Sequence, residues 1–156
     1  MLGGGDGGAV REVLRWRTVE EVTLVDVDDE VVRLCQEHLP EVHQGALNDR
    51  RVLVVFDDAF KFVSREGGNT WDAIVADLTD PEPSGPAGRL FTKEFYQMCR
   101  GLLSEQGCLV VQAGEVSPGA LTHHARLART LLQVFPVVAS YVAPVPSFGT
   151  PCGMLL

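Results

Sequence analysis

Short apolar runs alternate along this chain with segments in which apolar residues recur every three or four positions. The runs are rich in valine, leucine and isoleucine and predict strands at 22–28, 52–56, 71–77, 107–113 and 137–145, with partial strands at 1–2 and 152–156. The segments of helical spacing lie between them and predict helices at 9–16, 29–39, 59–65, 92–104 and 118–134. This alternation is typical of an α/β fold.

The order of these elements predicts a Rossmann-like, mostly parallel sheet of seven strands whose first strand is truncated. A length of 156 residues fits one domain with a substantial core. The polar stretch 42–50 is predicted to be a loop, because Pro40 is expected to end the preceding helix. The segment 78–90 holds three prolines and two glycines and is predicted to be an ordered functional loop or lid.

Acidic residues follow the predicted strands at their carboxyl ends. The set is Asp6, Asp26, Asp57 or Asp58, Asp77 and Asp80. Ligands of parallel α/β sheets bind outside the carboxyl ends of the strands, so we expect these side chains to surround one negatively charged site. Since Asp77 ends a buried strand, its carboxylate is expected to be rigid and partly desolvated.

The segment Gly3–Gly8 reads Gly-Gly-Gly-Asp-Gly-Gly and precedes the first predicted helix. Gly3, Gly5 and Gly8 satisfy the G-x-G-x-x-G dinucleotide pattern literally. However, the Asp6 carboxylate would repel a pyrophosphate and attract a cation. The loop therefore predicts a nucleoside-like ligand that carries positive charge and no phosphates. The alternative is a glycine-rich turn that only links a strand to a helix.

The composition narrows the possible partners. A formal net charge of −8 argues against non-specific nucleic-acid binding and favours cationic partners. No apolar run reaches the length of a membrane span and no signal peptide opens the chain, so we expect a cytoplasmic protein without membrane association. The four cysteines form no C-x-x-C pair and are predicted to be reduced packing residues. The histidines form no metal-ligand pattern, so no metal is predicted.

A nucleoside that carries a sulfonium group would satisfy the prediction of a cationic nucleoside ligand. Its leaving group is already activated, so the reaction requires no metal. The nucleophile that attacks the sulfonium compound would be a primary amine with a pKa of about 10.4. Removing the proton from this amine at pH 7 costs on the order of 4–5 kcal/mol. A carboxylate such as Asp77 accepts that proton as attack proceeds, and Asp80 lies three residues further on. In the alternative interpretation, Asp77–Pro81 is a turn in which aspartate caps the backbone.

Several segments together resemble the spermidine/spermine synthase family. They are Gly3–Gly8, Val25–Asp28, Asp77–Pro81, Gly85–Ala87, Leu90–Tyr96 and Gln112–Gly114. Members of this family move the aminopropyl group of decarboxylated S-adenosylmethionine to a polyamine and release methylthioadenosine. The resemblance covers essentially the whole chain. It implies the fold of class I methyltransferases, decarboxylated S-adenosylmethionine as co-substrate and no separate cofactor.

The resemblance also implies a set of donor-binding residues. They are Gly3, Gly5, Asp6, Gly7, Asp26, Asp58 and Ala59. Asp6 would bind the ammonium of the donor's aminopropyl group, and Asp26 would hold the ribose hydroxyls. Asp58 and the backbone of Ala59 would bind the adenine.

On the acceptor side, the resemblance implies that Asp77 is the base for the attacking amine. Asp80 and Gln112 would help to hold the polyamine. Phe148 stands where putrescine-using members often carry a tyrosine, which implies a longer or different acceptor or weaker binding.

Finer details of the resemblance concern the subgroup and the extent of the chain. The residues of segments 77–81, 112–114, 122–123 and 145–148 are similar to those of thermospermine-synthase-like members.

The family also carries an N-terminal β-hairpin domain, which supplies much of the oligomer interface and is absent from this sequence. We therefore expect a single catalytic domain, 1–156, that is part of a longer enzyme, which would form a homodimer or homotetramer.

Three other functions stay open at this point. A class I methyltransferase has the same fold, but Asp6 should repel the carboxylate of S-adenosylmethionine. A nicotinamide-dependent oxidoreductase is suggested by Gly3, Gly5 and Gly8, although no hydride-transfer constellation is evident. The last alternative is a non-catalytic relic that binds polyamine or a protein partner without turnover.

Overall fold

The computed structural model describes residues 1–67, 71–79 and 85–156. Across these residues the strands form a seven-stranded, mostly parallel sheet, which confirms the predicted α/β fold class. The chain divides into two compact units, Met1–Phe62 and Val63–Leu156. The single domain expected for 1–156 stays a prediction.

The first unit, all of whose residues are described, contains a parallel sheet of three strands in the order β3-β2-β1. Its elements are β1 (Leu2–Gly3), α1 (Gly8–Leu14), β2 (Val22–Asp26), α2 (Asp29–His38), α3 (Pro40–His43), β3 (Val52–Phe56) and the beginning of α4 (Ala59–Arg65). Leu2 pairs with Val25, and Asp26 pairs with Phe56. The carboxyl ends of these strands therefore meet at one edge, as the sequence predicts.

Apolar side chains from both helices and strands form the core of the first unit. The buried members are Val10, Val22, Leu24, Val32, Ala46 and Leu47. Full burial of one valine or leucine side chain stabilises a fold by about 1.5–3 kcal/mol. Asp28 fixes the start of α2, because its carboxylate accepts the backbone N–H of Val31 at 3.0 Å.

The stretch 42–50 is not the continuous loop that its polarity predicts. Pro40 begins α3 instead of only ending α2, and Ala46–Asn48 forms a 3-10 turn. Proline is well suited to the first position of a helix, where its missing N–H removes no hydrogen bond. Ala46 and Leu47 are buried in the core, so this stretch is shaped by tertiary packing that local periodicity does not reveal.

The second unit contains β4 (Trp71–Asp77), α5 (Lys93–Leu102), β5 (Leu103–Glu115), α6 (Leu121–Leu131), β6 (Ser140–Val145) and β7 (Thr150–Leu155). Within it, β4 and β5 are parallel, whereas β7 is antiparallel to both β5 and β6. The Thr92 hydroxyl caps α5 by accepting the Phe95 N–H at 3.3 Å. The helix ends at Leu102, earlier than expected, because β5 begins there and is longer than its apolar run.

The predicted lid at 78–90 is only partly described. Pro86–Phe91 forms a 3-10 helix at its end. Residues 80–84, which include Asp80, lie outside the described residues.

The cysteines, all in the described part of the chain, are free thiols. Cys99 and Cys152 are buried, but Cys108 is exposed, so the predicted packing role is wrong for Cys108. Alternate side chains of β5 point in opposite directions, so a strand can expose Cys108 while its neighbour Leu109 is buried. No helix in the described ranges combines the length and apolar character needed to cross a bilayer.

Arg51 ties the beginning of β3 to the segment that follows α1. Its guanidinium donates to both carboxylate oxygens of Asp49, at 3.0 and 2.9 Å. It also donates to the carbonyl oxygens of Leu14 and Val19, at 3.3 and 3.4 Å. The hydrogen bonds from Arg51 hold the pKa of Asp49 at about 2, below its usual range.

The variant Arg51→Lys tests this anchor, because an ammonium group has no planar fork to bind both oxygens. We expect the pKa of Asp49, followed by an NMR titration, to rise towards its usual value of about 3.9, and Tm to fall. Since the folded-state pKa is lowered, the stabilisation is present above a pH of about 4 and is lost as the pH falls towards about 2. Arg50→Lys is the matched control, since Arg50 is exposed. Equal changes in the Asp49 pKa and in Tm for the two variants would contradict the assignment of the anchor to the Arg51 guanidinium.

Candidate active site

The glycine loop that follows β1 adopts backbone conformations that require glycine. Gly3, Gly4 and Gly7 have φ angles of 76°, 82° and 76°. These values lie in the left-handed region, which side chains with a Cβ rarely adopt. The Gly7 N–H donates to the Gly4 carbonyl at 3.0 Å and closes a tight turn around Asp6.

Asp26, at the end of β2, braces this loop from the side. Its Oδ2 accepts the Gly5 N–H at 2.9 Å, and its Oδ1 accepts the Asp28 N–H at 3.0 Å. A Cβ at Gly5 would lie 2.6 Å from the Asp26 carboxylate and 2.8 Å from Val32. The predicted donor residue therefore also has a structural role, since it fixes the loop beside which a ligand would bind.

Asp6 lies on the outside of the loop and is exposed. Its Oδ1 accepts the Gly8 N–H at 2.7 Å, which orients the carboxylate. Burial raises the pKa of the Cys35 thiol, and the negative charges of Asp6 and Asp26 raise it further. Both carboxylates therefore lie near enough to Cys35 for their charges to act on its thiol.

Asp57 and Asp58 follow β3 at the same edge of the first unit. The Asp57 N–H donates to the Asp26 carbonyl at 2.9 Å and continues the pairing of the two strands. Asp58 Oδ1 accepts the N–H groups of Phe60 and Lys61, at 2.9 and 3.1 Å, and so caps α4. The structure thus places Asp58 and the adjacent Ala59 at the start of a helix beside the strand that carries Asp26.

In the second unit, Asp77 ends β4 and Gln112 lies on the neighbouring strand β5. Ala76 pairs with Val111, so Asp77 and Gln112 occupy the next positions of the two parallel strands. The Asp77 side chain is exposed, and the expectation that it is partly desolvated is wrong in this chain. Its place at the carboxyl end of the strand, which the apolar run predicts, puts it beyond the buried part of β4.

Gln112 carries a buried amide oxygen, Oε1, that has no hydrogen-bond partner among the described residues. Buried polar atoms are nearly always paired in folded proteins, so an orphaned acceptor indicates a place for a donor from a ligand or water. Phe148 lies in the 3-10 turn Pro146–Phe148 and is 62% exposed. Asp80, the remaining predicted acceptor residue, lies outside the described residues.

Sequence analysis missed two residues that support the glycine loop. A Cβ at Gly7 would lie 2.7 Å from His43 Cβ and 2.7 Å from Leu47 Cγ. His43 is 4% exposed and Leu47 is 5% exposed. Their only sequence signal is an apolar Ala46–Leu47 pair inside a polar stretch, which does not indicate the loop as its partner.

Within the described ranges, no three His, Cys, Asp or Glu side chains lie close enough to hold an ion. The buried histidines contact protein groups instead. His43 contacts the carbonyl of Gln36, and His124 contacts the hydroxyl of Ser140.

The chain resembles known proteins over its whole length. The polyamine aminopropyltransferase of Synechococcus sp. strain JA-2-3B'a(2-13) is 50% identical over 156 residues, which are 100% of this chain and 50% of that protein. The polyamine aminopropyltransferase of Aeropyrum pernix is 43% identical over 157 residues, covering 100% of this chain and 49% of that protein. The chain spans about half the length of the curated relatives it matches.

The backbone of this chain is also similar to those of solved structures. The spermidine synthase of Thermotoga maritima is 30% identical with a TM-score of 0.86, covering 99% of this chain and 50% of that chain. A spermidine synthase in complex with the transition state analogue AdoDATO is 31% identical with a TM-score of 0.89, covering 99% of this chain and 52% of that chain.

The family model for the Spermine/spermidine synthase domain matches residues 1–154 of this chain. Its match includes the glycine loop, the strand-end aspartates and Gln112. The chain therefore belongs to the spermine/spermidine synthase family.

Proposed function

We propose that the complete protein is a polyamine aminopropyltransferase. It transfers the aminopropyl group of decarboxylated S-adenosylmethionine to an amine of a polyamine and releases methylthioadenosine. The observation that carries this proposal is the exposed carboxylate of Asp6 on a loop that Asp26 braces. Family membership supports it and does not favour a methyltransferase, an oxidoreductase or a non-catalytic relic.

The donor's charge suits the first unit. The sulfonium and the aminopropyl ammonium are both cationic, and the carboxylates of Asp6 and Asp26 supply negative potential at the loop. Asp26 has lone pairs left on both oxygens after accepting two backbone N–H groups, so it can also accept ribose hydroxyls. Asp58 and Ala59 bind the adenine in this proposal, and Gly3, Gly5 and Gly7 belong to the loop that binds the donor.

The reaction is a direct displacement at carbon. The neutral amine nitrogen of the acceptor attacks the aminopropyl carbon that is bonded to sulfur, so a C–N bond forms and the C–S bond breaks. The electron pair of the broken bond returns to sulfur, and methylthioadenosine leaves as a neutral product. Asp77 accepts the proton that the attacking nitrogen loses.

Gln112 supports the acceptor side of this proposal. Its unpaired amide oxygen can accept an N–H bond from a polyamine, whose nitrogen atoms are all donors when protonated. Asp80 would add a second carboxylate, and Phe148 would contact the acceptor without donating a hydrogen bond. We also retain as predictions a thermospermine-synthase-like acceptor preference, a homodimer or homotetramer of the complete protein, and a cytoplasmic location.

The variant Asp77→Asn, made in the full-length protein, tests the assignment of the base. An amide cannot accept the proton, so we expect kcat to fall by about 10²–10⁴-fold in an assay that follows methylthioadenosine release. Donor affinity, measured by calorimetry, should stay within about threefold of the original value, since Asp77 acts on the acceptor.

Asp72→Asn is the matched control, because Asp72 is also exposed on β4 and has no assigned role. It should leave both kcat and donor affinity unchanged. Sustained turnover by Asp77→Asn would show that another group takes the proton.

The variant Asp6→Asn tests how the donor is recognised. The original protein should bind decarboxylated S-adenosylmethionine more tightly than S-adenosylmethionine, whose carboxylate Asp6 repels. Loss of a charge-assisted hydrogen bond should weaken binding of the decarboxylated donor by about 10–100-fold. Methylthioadenosine has no aminopropyl group, so calorimetry should give it an unchanged affinity in the variant.

Two outcomes would contradict this role of Asp6. Tighter binding of the carboxylated compound by the original protein would favour a methyltransferase. An equal loss of affinity for methylthioadenosine and for the decarboxylated donor would mean that Asp6 only shapes the loop.

A further inference from the structure

His43 sits between two backbone groups in the middle of the first unit. Its Nδ1 accepts the Gly45 N–H at 3.0 Å, so the ring proton lies on Nε2. Nε2 faces the Gln36 carbonyl at 3.3 Å and donates to it. The neutral ring therefore links the last turns of α2 to the turn that follows α3.

The turn that His43 closes has an unfavourable backbone. Gln44 has a φ of 47°, and it is the only non-glycine residue in the described ranges with a positive φ. Gly45 follows with a φ of 82°. A non-glycine residue in the left-handed region, such as Gln44, persists only where surrounding contacts hold it, and the bond from the adjacent Gly45 N–H to Nδ1 is such a contact.

This turn sets the distance between the two side chains that contact Gly7. His43 lies directly before the turn, and Leu47 lies in the 3-10 turn directly after it. Both lie within 2.7 Å of the position that a Cβ of Gly7 would occupy. We call His43 and Leu47 the Gly7 clamp.

Gly7 in turn determines where the Asp6 carboxylate lies. It follows Asp6 directly, and its N–H closes the turn onto Gly4. The next residue, Gly8, donates the N–H that orients the Asp6 carboxylate. A displacement of Gly7 would therefore move both the carboxylate and the donor that orients it.

We propose that His43 is a positioning residue for the donor loop: its neutral ring closes the Gln44–Gly45 turn and so holds the Gly7 clamp in place. The effect on catalysis rests on the proposed function, in which Asp6 binds the donor ammonium. His43 itself touches neither substrate nor reacting atoms in this account.

Two variants of the full-length protein separate the two hydrogen bonds of the ring. His43→Asn keeps an acceptor at the position of Nδ1, whereas His43→Gln keeps a donor at the position of Nε2 and loses that acceptor. We expect His43→Gln to raise the KM for decarboxylated S-adenosylmethionine by about tenfold, while kcat and the polyamine KM stay within about twofold. His43→Asn should keep the donor KM within about threefold.

His38→Gln is the matched control, because His38 is a largely exposed histidine at the end of α2. It should change none of these constants. In an Asp6→Asn background, His43→Gln should raise the donor KM by less than about twofold, because the carboxylate that it positions is already absent. A tenfold effect in that background would overturn the assignment to Asp6.

Equal donor KM values for the Asn and Gln variants would also overturn the proposal. If His43→Gln does not fold, Leu47→Ala removes the other half of the clamp, and an unchanged donor KM in that variant would count against the clamp.

If the unmodified enzyme transfers no aminopropyl group, the proposed function fails and amide NMR decides the positioning role. Shifted Gly5, Gly7 and Gly8 signals in His43→Gln, but not in His43→Asn or His38→Gln, would support it, and unshifted signals would refute it.

Discussion

The hydrogen bond from the Gly5 backbone to the Asp26 carboxylate connects the sheet of the first unit to the glycine loop. Asp26 ends β2, whose buried valines and leucine fix its position, and its second oxygen is held by the Asp28 N–H. The same carboxylate therefore transmits the rigidity of the strand to the loop. A loop made almost entirely of glycine has little order of its own, so this external brace is what gives Asp6 a defined place.

The negative charges of Asp6 and Asp26, at the carboxyl ends of the strands in the first unit, have two effects, and both favour binding of a cationic ligand. Like charges raise the free energy of the empty site, which is offset when a cation binds between them. In the proposed function, a sulfonium with an ammonium side arm is attracted by both Asp6 and Asp26, whereas a phosphate or carboxylate ligand is repelled. In the proposed function, discrimination combines attraction of the decarboxylated donor with repulsion of S-adenosylmethionine, and repulsive elements commonly contribute much of a site's specificity.

The fold and the strand-end acids could be predicted from sequence because both depend on local pattern. Short apolar runs mark β2, β3 and β4, and the acids end these strands or follow directly after them. The segment 40–48 could not be predicted, since its short helix and turn are formed by burial of Ala46 and Leu47 in a core assembled from distant elements. The exposure of Asp77 was missed for a related reason, because the pattern locates a strand's end but not how much solvent reaches it.

The glycines of the loop can be explained by the protein's own side chains. In the dinucleotide fingerprint, the second glycine lets the backbone approach a pyrophosphate. Here the corresponding Gly5 is crowded by Asp26 and Val32, and Gly7 is crowded by His43 and Leu47. Since the absent Cβ atoms make room for braces within the protein, the glycine pattern alone does not specify a phosphate ligand. In the proposed function, the charge of Asp6, the one side chain in the loop, selects the ligand class.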